Sequence, residues 1–148
     1  MATRGCIAKW VGEGEWEGVY HHWDSYPTAL GKTLWDLFHG RYEGNVDHMV
    51  RELIEETPQG WSTCNGDWSK GIGLARTEHE GPVRYGEDEG PNTLTEKTAD
   101  PLFTEWVYAI APEGRMHVFK GNYSAGRFDQ VAVVDLRGPE PDWEGMRA

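Results

Sequence analysis

The chain has 148 residues, a formal net charge of −11 and eight tryptophans, which suits one folded domain over residues 1–148 with large aromatic side chains available for its core. The acidic total disfavours direct nucleic-acid binding, because a phosphate-binding surface usually shows as a basic excess, but it does not exclude local basic pockets. No segment has the roughly 18 consecutive apolar residues of a membrane span, and the opening MATRGCIAKW lacks the apolar run of a signal peptide. The two cysteines do not form a disulfide framework, so we expect a cytoplasmic protein with no membrane association and with free thiols.

The first third of the chain predicts a β-hairpin followed by two helices. Residues 5–11 (GCIAKWV) and 16–23 (WEGVYHHW) alternate as strands around a glycine-rich turn, the pattern of a hairpin. Pro27 suits a helix start, and apolar residues then recur at helical spacing at Leu30, Leu34, Leu37 and Phe38. Asn45 is a good cap for a second helix, whose apolar face consists of Val46, Met49, Val50, Leu53 and Ile54.

The segment of about residues 58–103 predicts a long, irregular, acidic insert. It is rich in Gly, Pro, Asp, Glu, Asn and Thr and is longer than most unstructured loops of compact domains. It therefore either hides short elements near Trp61, Trp68 and residues 72–74, or forms a functional loop. Within residues 78–100, seven acidic side chains outnumber two basic ones, a balance of −5. That concentration indicates a solvated segment.

The C-terminal third predicts three further strands. Residues 104–111 (TEWVYAIA) alternate, Pro112-Glu113-Gly114 has turn chemistry, and residues 116–119 form the return strand. Residues 130–136 (QVAVVDL) are apolar on both faces, which predicts a more buried strand. The order of elements is ββαα, a long insert, then βββ. This order favours an α+β fold, with a mostly antiparallel sheet and both helices packed on one face.

Cys6, His22 and Asp24 are the candidate catalytic residues. On a regular strand His22 and Asp24 share one face while His21 points to the other, so the adjacent histidines do not converge on one ligand, and Asp24 is placed to orient the His22 imidazole. Depending on the hairpin register, Cys6 lies opposite Tyr20, His21 or His22. Only the last register brings nucleophile, base and orienter together. The alternative is that Cys6 is a small buried side chain.

Aromatic side chains form the second candidate site. Seven of them lie on or beside predicted strands: Trp10, Trp16, Tyr20, Trp23, Tyr26, Trp106 and Tyr108. Such rings usually belong to a core, but exposed rings also form a platform on which a planar ligand such as a base stacks. The helix after Pro27 offers backbone N–H groups to an anion, with Arg4, Lys9 and Lys32 as nearby charges. The predicted ligand-binding residues are Tyr20, Trp23, Asp24, Tyr26 and Lys32.

Metal and cofactor sites are not predicted. Cys64 and His79 lack the paired spacing of zinc ligands, and the glycine-rich stretches do not match a phosphate-binding loop.

Residues 22–27, HWDSYP, resemble a motif of small uncharacterised bacterial and phage proteins. Those proteins carry a strand, then HWDGYP, then a leucine-rich helix, and EWVYAIAPEGRMHVF is similar to their C-terminal aromatic strand pair. Ser25 stands where they usually have glycine. The resemblance implies a compact cytoplasmic accessory protein of the kind carried by phages or mobile elements, and it identifies no catalytic residue.

A non-enzymatic accessory protein is the interpretation that these observations favour. It would bind a host protein or a small nucleotide-like ligand through its aromatic surface or its acidic insert. One alternative is a small hydrolase that uses Cys6, His22 and Asp24. Another is an acidic decoy that imitates nucleic acid toward a basic partner. A homo-oligomer is compatible with the sequence, because exposed edge strands and spare tryptophans favour pairing.

Overall fold

Eight strands form one sheet in residues 2–73, 79–86 and 91–147, the part of the chain that this computed structural model describes. The strands are β1 Gly5–Gly12, β2 Glu15–His21, β3 Trp61–Thr63, β4 Val83–Arg84, β5 Thr93–Thr95, β6 Trp106–Ile110, β7 Arg115–Asn122 and β8 Arg127–Asp135. Their order is β4-β3-β2-β1-β6-β7-β8, and β5 also pairs with β2. The pairs β1–β6 and β2–β3 are parallel and the others are antiparallel. The predicted α+β fold with a mostly antiparallel sheet is confirmed.

The two predicted helices are present, and each includes a wider π-helical turn. Pro27–Gly31 forms such a turn and continues as α1, Lys32–His39. The second helix, α2, covers Val46–Val50 and continues as the π-helical turn Arg51–Glu55. Asn45 caps α2 as predicted, because its side-chain oxygen accepts the His48 backbone N–H at 3.0 Å. Among the helices of the described residues, none has the length and apolarity needed to cross a bilayer.

Strand alternation divides the core between the two faces of the sheet. On one face, Ile7 and Val19 pack in the larger core cluster with apolar side chains of both helices, including Leu34 and Leu53. On the other face, Cys6, Ala8, Trp16, Val107, Ala109 and Phe119 form a smaller cluster that Ala99 completes. Both helices therefore pack on one face, and part of the predicted insert covers the opposite one.

The described part of the segment 58–103 contains short elements rather than one long irregular loop. Strands β3, β4 and β5 lie within it, and so does the 3₁₀ turn Trp68–Lys70. Trp61 is fully buried, and its indole Nε1 donates a hydrogen bond to the Leu53 carbonyl at 2.8 Å, so aromatic burial holds this weakly periodic segment against the second helix. Four of the seven acidic residues in 78–100 lie outside the described residues: Glu78, Glu87, Asp88 and Glu89.

Strand β8 corrects one prediction, because it is an edge strand and not a buried one. Val131 and Val133 are 41% and 47% exposed, since β8 lies at the end of the sheet and has only β7 as a partner among the described strands. An apolar pattern on both faces does not by itself distinguish an interior strand from an apolar edge. The tail after it is anchored by Trp143, which is buried against Trp35.

Candidate functional site

The hairpin register does not assemble the predicted nucleophile, base and orienter. Cys6 lies opposite Tyr20, and the register that places it opposite His22 is not the one formed. Cys6 is fully buried in the smaller core cluster, where burial raises the pKa of its thiol far above the usual range. Such a thiol is not available as a nucleophile. Cys6 is therefore a buried core side chain, the alternative considered from the sequence.

His21 is a structural histidine whose ring nitrogens are both satisfied. Its Nε2 accepts the backbone N–H of Cys64 at 2.9 Å, and Nδ1 lies 2.9 Å from the Ser25 hydroxyl. Because Nε2 accepts, the ring proton of the neutral form is on Nδ1, and it donates to Ser25 Oγ. That hydroxyl in turn donates to the His21 carbonyl at 3.2 Å. Complete burial lowers the pKa of His21 to about 3, so the ring is neutral at physiological pH.

Ser25 holds the chain where it passes from the hairpin to the first helix. Its backbone N–H donates to Thr3 O at 3.0 Å, and its carbonyl accepts the Tyr108 hydroxyl at 2.6 Å. Gly5 allows Ser25 to pack closely against β1, because a Cβ at residue 5 would lie only 2.7 Å from Ser25 Cβ. Asp24 adopts a left-handed conformation with φ of 53°, which breaks the strand alternation. Much of the HWDSYP motif is therefore a fold junction.

Five side chains meet at the end of β2, on the sheet face opposite the helices. We call them the Trp23 cluster: Arg4, Tyr20, His22, Trp23 and Tyr85. The His22 ring lies 4.6 Å from Trp23 and 5.5 Å from Tyr85, measured between centroids. The Tyr20 ring lies 5.2 Å from Tyr85. Trp23 is 45% exposed, so the cluster presents one indole to solvent on a support of half-buried rings.

The polar atoms of the Trp23 cluster are arranged as hydrogen-bond donors. The Arg4 guanidinium lies beside the Tyr20 hydroxyl and can only donate to it. The hydroxyl proton is then free to donate to His22 Nδ1, 2.5 Å away. Burial, and secondarily the Arg4 charge, lower the pKa of His22, so its ring is neutral at pH 7 with the proton on Nε2. His22 Nε2 is thus a donor beside the exposed Trp23 ring, and the Arg4 guanidinium is a second donor of the cluster.

Burial also raises the pKa of Tyr20, and the neighbouring Tyr85 adds to that increase. The Tyr20 hydroxyl consequently remains protonated at physiological pH and keeps its hydrogen bond to His22.

The remaining predicted ligand-binding residues do not join this cluster. Lys32 is engaged by Glu140 at 2.8 Å and by Asp36 at 3.2 Å. Tyr26 packs against the larger core cluster. Asp24 is exposed, and its carbonyl accepts the Asn65 side chain at 3.1 Å. The predicted pairing of Asp24 with His22 is replaced by the pairing of Tyr20 with His22.

The structure adds Tyr85 to the predicted set. Tyr85 follows β4, which is held beside β3, and the parallel β2–β3 contact brings it near Tyr20. A single tyrosine in a weakly periodic segment carries no sequence signal for this placement.

In the described ranges, no group of three or more His, Cys, Asp or Glu residues is placed to hold a metal ion. The chain matches no protein-family model, no curated protein and no solved structure.

Proposed function

We propose that this chain is a non-enzymatic binding protein and that the Trp23 cluster holds a small planar anion of the nucleotide class. The observation that carries the proposal is the exposed Trp23 indole packed against the His22 ring, with the Arg4 charge acting on the same imidazole. A base stacks on the indole face, and a phosphate accepts from the guanidinium and the imidazole.

The charge distribution supports an anionic ligand. The chain as a whole carries −11, whereas the polar side chains of the cluster are a guanidinium, a neutral imidazole and two phenols. Arg4 also lies 5.6 Å from the centroid of the exposed Phe103 ring, which extends the apolar rim beside the positive charge. The cluster itself contains no carboxylate; the Glu105 carboxylate accepts the Arg4 backbone N–H at 3.2 Å.

Isothermal titration calorimetry with AMP, adenosine and inorganic phosphate tests the proposal. We expect AMP to bind more tightly than adenosine or phosphate, because it alone uses both the ring and the donors. Trp23→Ala removes the stacking surface, worth about 1–3 kcal/mol, which corresponds to an affinity roughly 5- to 150-fold lower. Arg4→Gln should weaken AMP binding and leave adenosine binding unchanged.

Two matched controls make the experiment specific. Tyr123→Ala removes another exposed aromatic ring, which is 59% exposed in the β7–β8 turn, and Arg51→Gln removes an exposed arginine of the second helix. Both variants should bind AMP like the parent protein. Equal affinity for AMP and adenosine, or equal losses in the Tyr123 and Trp23 variants, would contradict the proposal.

A further inference from the structure

The sheet curls over the face opposite the helices, so that two distant strands meet there. Strands β2 and β8 are separated by β1, β6 and β7, and in a flat sheet this separation would be about 19 Å. The Trp16 ring of β2 nevertheless lies 5.4 Å from the Phe128 ring of β8, in an edge-to-face arrangement. The inner strands contribute small buried side chains to this face, which leave room for the curvature: Cys6, Ala8 and Ala109.

A cavity of about 240 Å³ lies beside this contact, and we call it the β2–β8 cavity. It is enclosed by the β1–β2 hairpin, by residues 96–101 and by the paired strands β7 and β8. Trp16 and Phe119 are almost fully buried and Phe128 is half-buried, so these rings give the cavity an aromatic wall. A cavity of about 150 Å³ is enough to hold benzene. The β2–β8 cavity therefore has room for one aromatic ring with a short substituent.

The charged side chains that line the β2–β8 cavity favour an anionic substituent. They are Glu96, Lys97 and Arg127. The Glu96 carboxylate accepts the backbone N–H of Trp16 at 2.9 Å, and Arg127 Nε donates to Asp129 at 2.7 Å. Lys97 is exposed, and in the described ranges the ion pairs do not include it. Its ammonium group is therefore the charge that a ligand can neutralise.

We propose that the β2–β8 cavity is a second binding site of this protein and that it takes a small aromatic carboxylate. The ring of the ligand packs against Trp16, Phe119 and Phe128, and its carboxylate accepts hydrogen bonds from the Lys97 ammonium at the rim. This site is independent of the Trp23 cluster, because Trp16 lies near the first residue of β2 whereas Trp23 follows its last residue.

An NMR titration of the tryptophan indole signals with phenylacetate tests the proposal. We expect the Trp16 signal to shift and to saturate with a dissociation constant of about 1 mM or below, while the Trp23 signal stays in place. Phenylacetamide has the same ring without the charge and should bind more weakly. Lys97→Gln should weaken phenylacetate binding about two- to fivefold, the range of an exposed ion pair, and leave phenylacetamide binding unchanged.

A variant that fills the β2–β8 cavity tests its location. Ala99 lines the cavity, so Ala99→Leu should weaken phenylacetate binding at least about tenfold by occupying the space of the ring. The matched controls are Ala125→Leu and Lys70→Gln, both at exposed positions outside the cavity lining, and they should bind like the parent. If Ala99→Leu does not fold, Lys97→Gln and the comparison of the two ligands still decide.

Two results would overturn the proposal: a Trp16 signal that does not respond to phenylacetate, or equal affinities for phenylacetate and phenylacetamide. Trp23→Ala should leave phenylacetate binding unchanged, and Lys97→Gln should leave AMP binding unchanged. The failure of one site is thereby distinguished from the failure of the other.

Discussion

The buried neutral His21 makes the stability of this protein depend on pH. In the folded protein the pKa of His21 is about 3, compared with 6.5 for the free side chain. Below pH 6.5 the unfolded chain therefore binds a proton that the folded chain does not, and the folded state loses stability as the pH falls. Above pH 6.5 the ring is neutral in both states and this contribution is constant.

The size of the effect follows from the two pKa values. Between them, the free energy of unfolding falls by about 1.4 kcal/mol for each unit of pH. From about pH 7 to about pH 5, the contribution of His21 amounts to a loss of about 2 kcal/mol. The lowered pKa of His22 adds a contribution of the same sign, so a His21 variant is needed to isolate the share of His21.

Urea unfolding at both pH values measures the effect. His21→Gln removes the titrating group, so the change in unfolding free energy between the two pH values should shrink by about 2 kcal/mol. His39→Gln, at an exposed histidine, is the matched control and should retain the pH dependence of the parent. If the His21 variant is too unstable to measure, the ¹⁵N shifts of His21 in the parent serve instead. A His21 ring that is protonated at about pH 5 in the folded state would refute the reasoning.

Three further predictions concern the junction, the core and the ligand. Ser25→Gly should lower the free energy of unfolding by about 2–3 kcal/mol, because it removes the buried hydroxyl that accepts from His21 and increases the backbone freedom of the unfolded chain. Urea unfolding measures this loss, and an unchanged free energy of unfolding would contradict the role of the Ser25–His21 hydrogen bonds. Trp61→Phe should lower the free energy of unfolding by about 2–4 kcal/mol in the same assay, since it leaves the Leu53 carbonyl unpaired and opens a cavity. A loss no larger than that of a variant at an exposed site would be inconsistent with the buried Trp61–Leu53 contact. Cyclic AMP is a suitable ligand for a pH series, because its phosphate charge is constant from about pH 5 to pH 8. Its affinity should rise as the pH falls toward the lowered pKa of His22, because a bound anion favours the imidazolium. Calorimetry in the parent and in His22→Gln measures this, and an equal pH dependence in both would exclude His22 as the titrating contact.

Local patterns in the sequence predicted the elements well where one periodicity dominated. The hairpin, the helix after Pro27 and the cap at Asn45 all follow from turn chemistry and apolar spacing. Strand β8 was mispredicted as buried, because an apolar pattern on two faces does not reveal whether a strand lies inside the sheet or at its edge.

The candidate site was predicted only in part, because it depends on contacts between distant segments. Tyr20 and Trp23 were identified, since they lie in the same aromatic stretch. Tyr85 was missed because it reaches the cluster through the pairing of β2, β3 and β4. Lys32 lies apart from the cluster for a related reason: the turn at Pro27 carries the helix to the opposite face of the sheet.

The most direct test of the proposed binding site is a nitrogen–proton NMR spectrum of the eight tryptophan indole groups during an AMP titration. We expect the Trp23 signal to shift progressively and to saturate. The signals of buried tryptophans such as Trp61 and Trp143 should remain in place. An unchanged Trp23 signal at AMP saturation, or a uniform shift of all eight signals, would contradict the assignment of the Trp23 cluster as the ligand site.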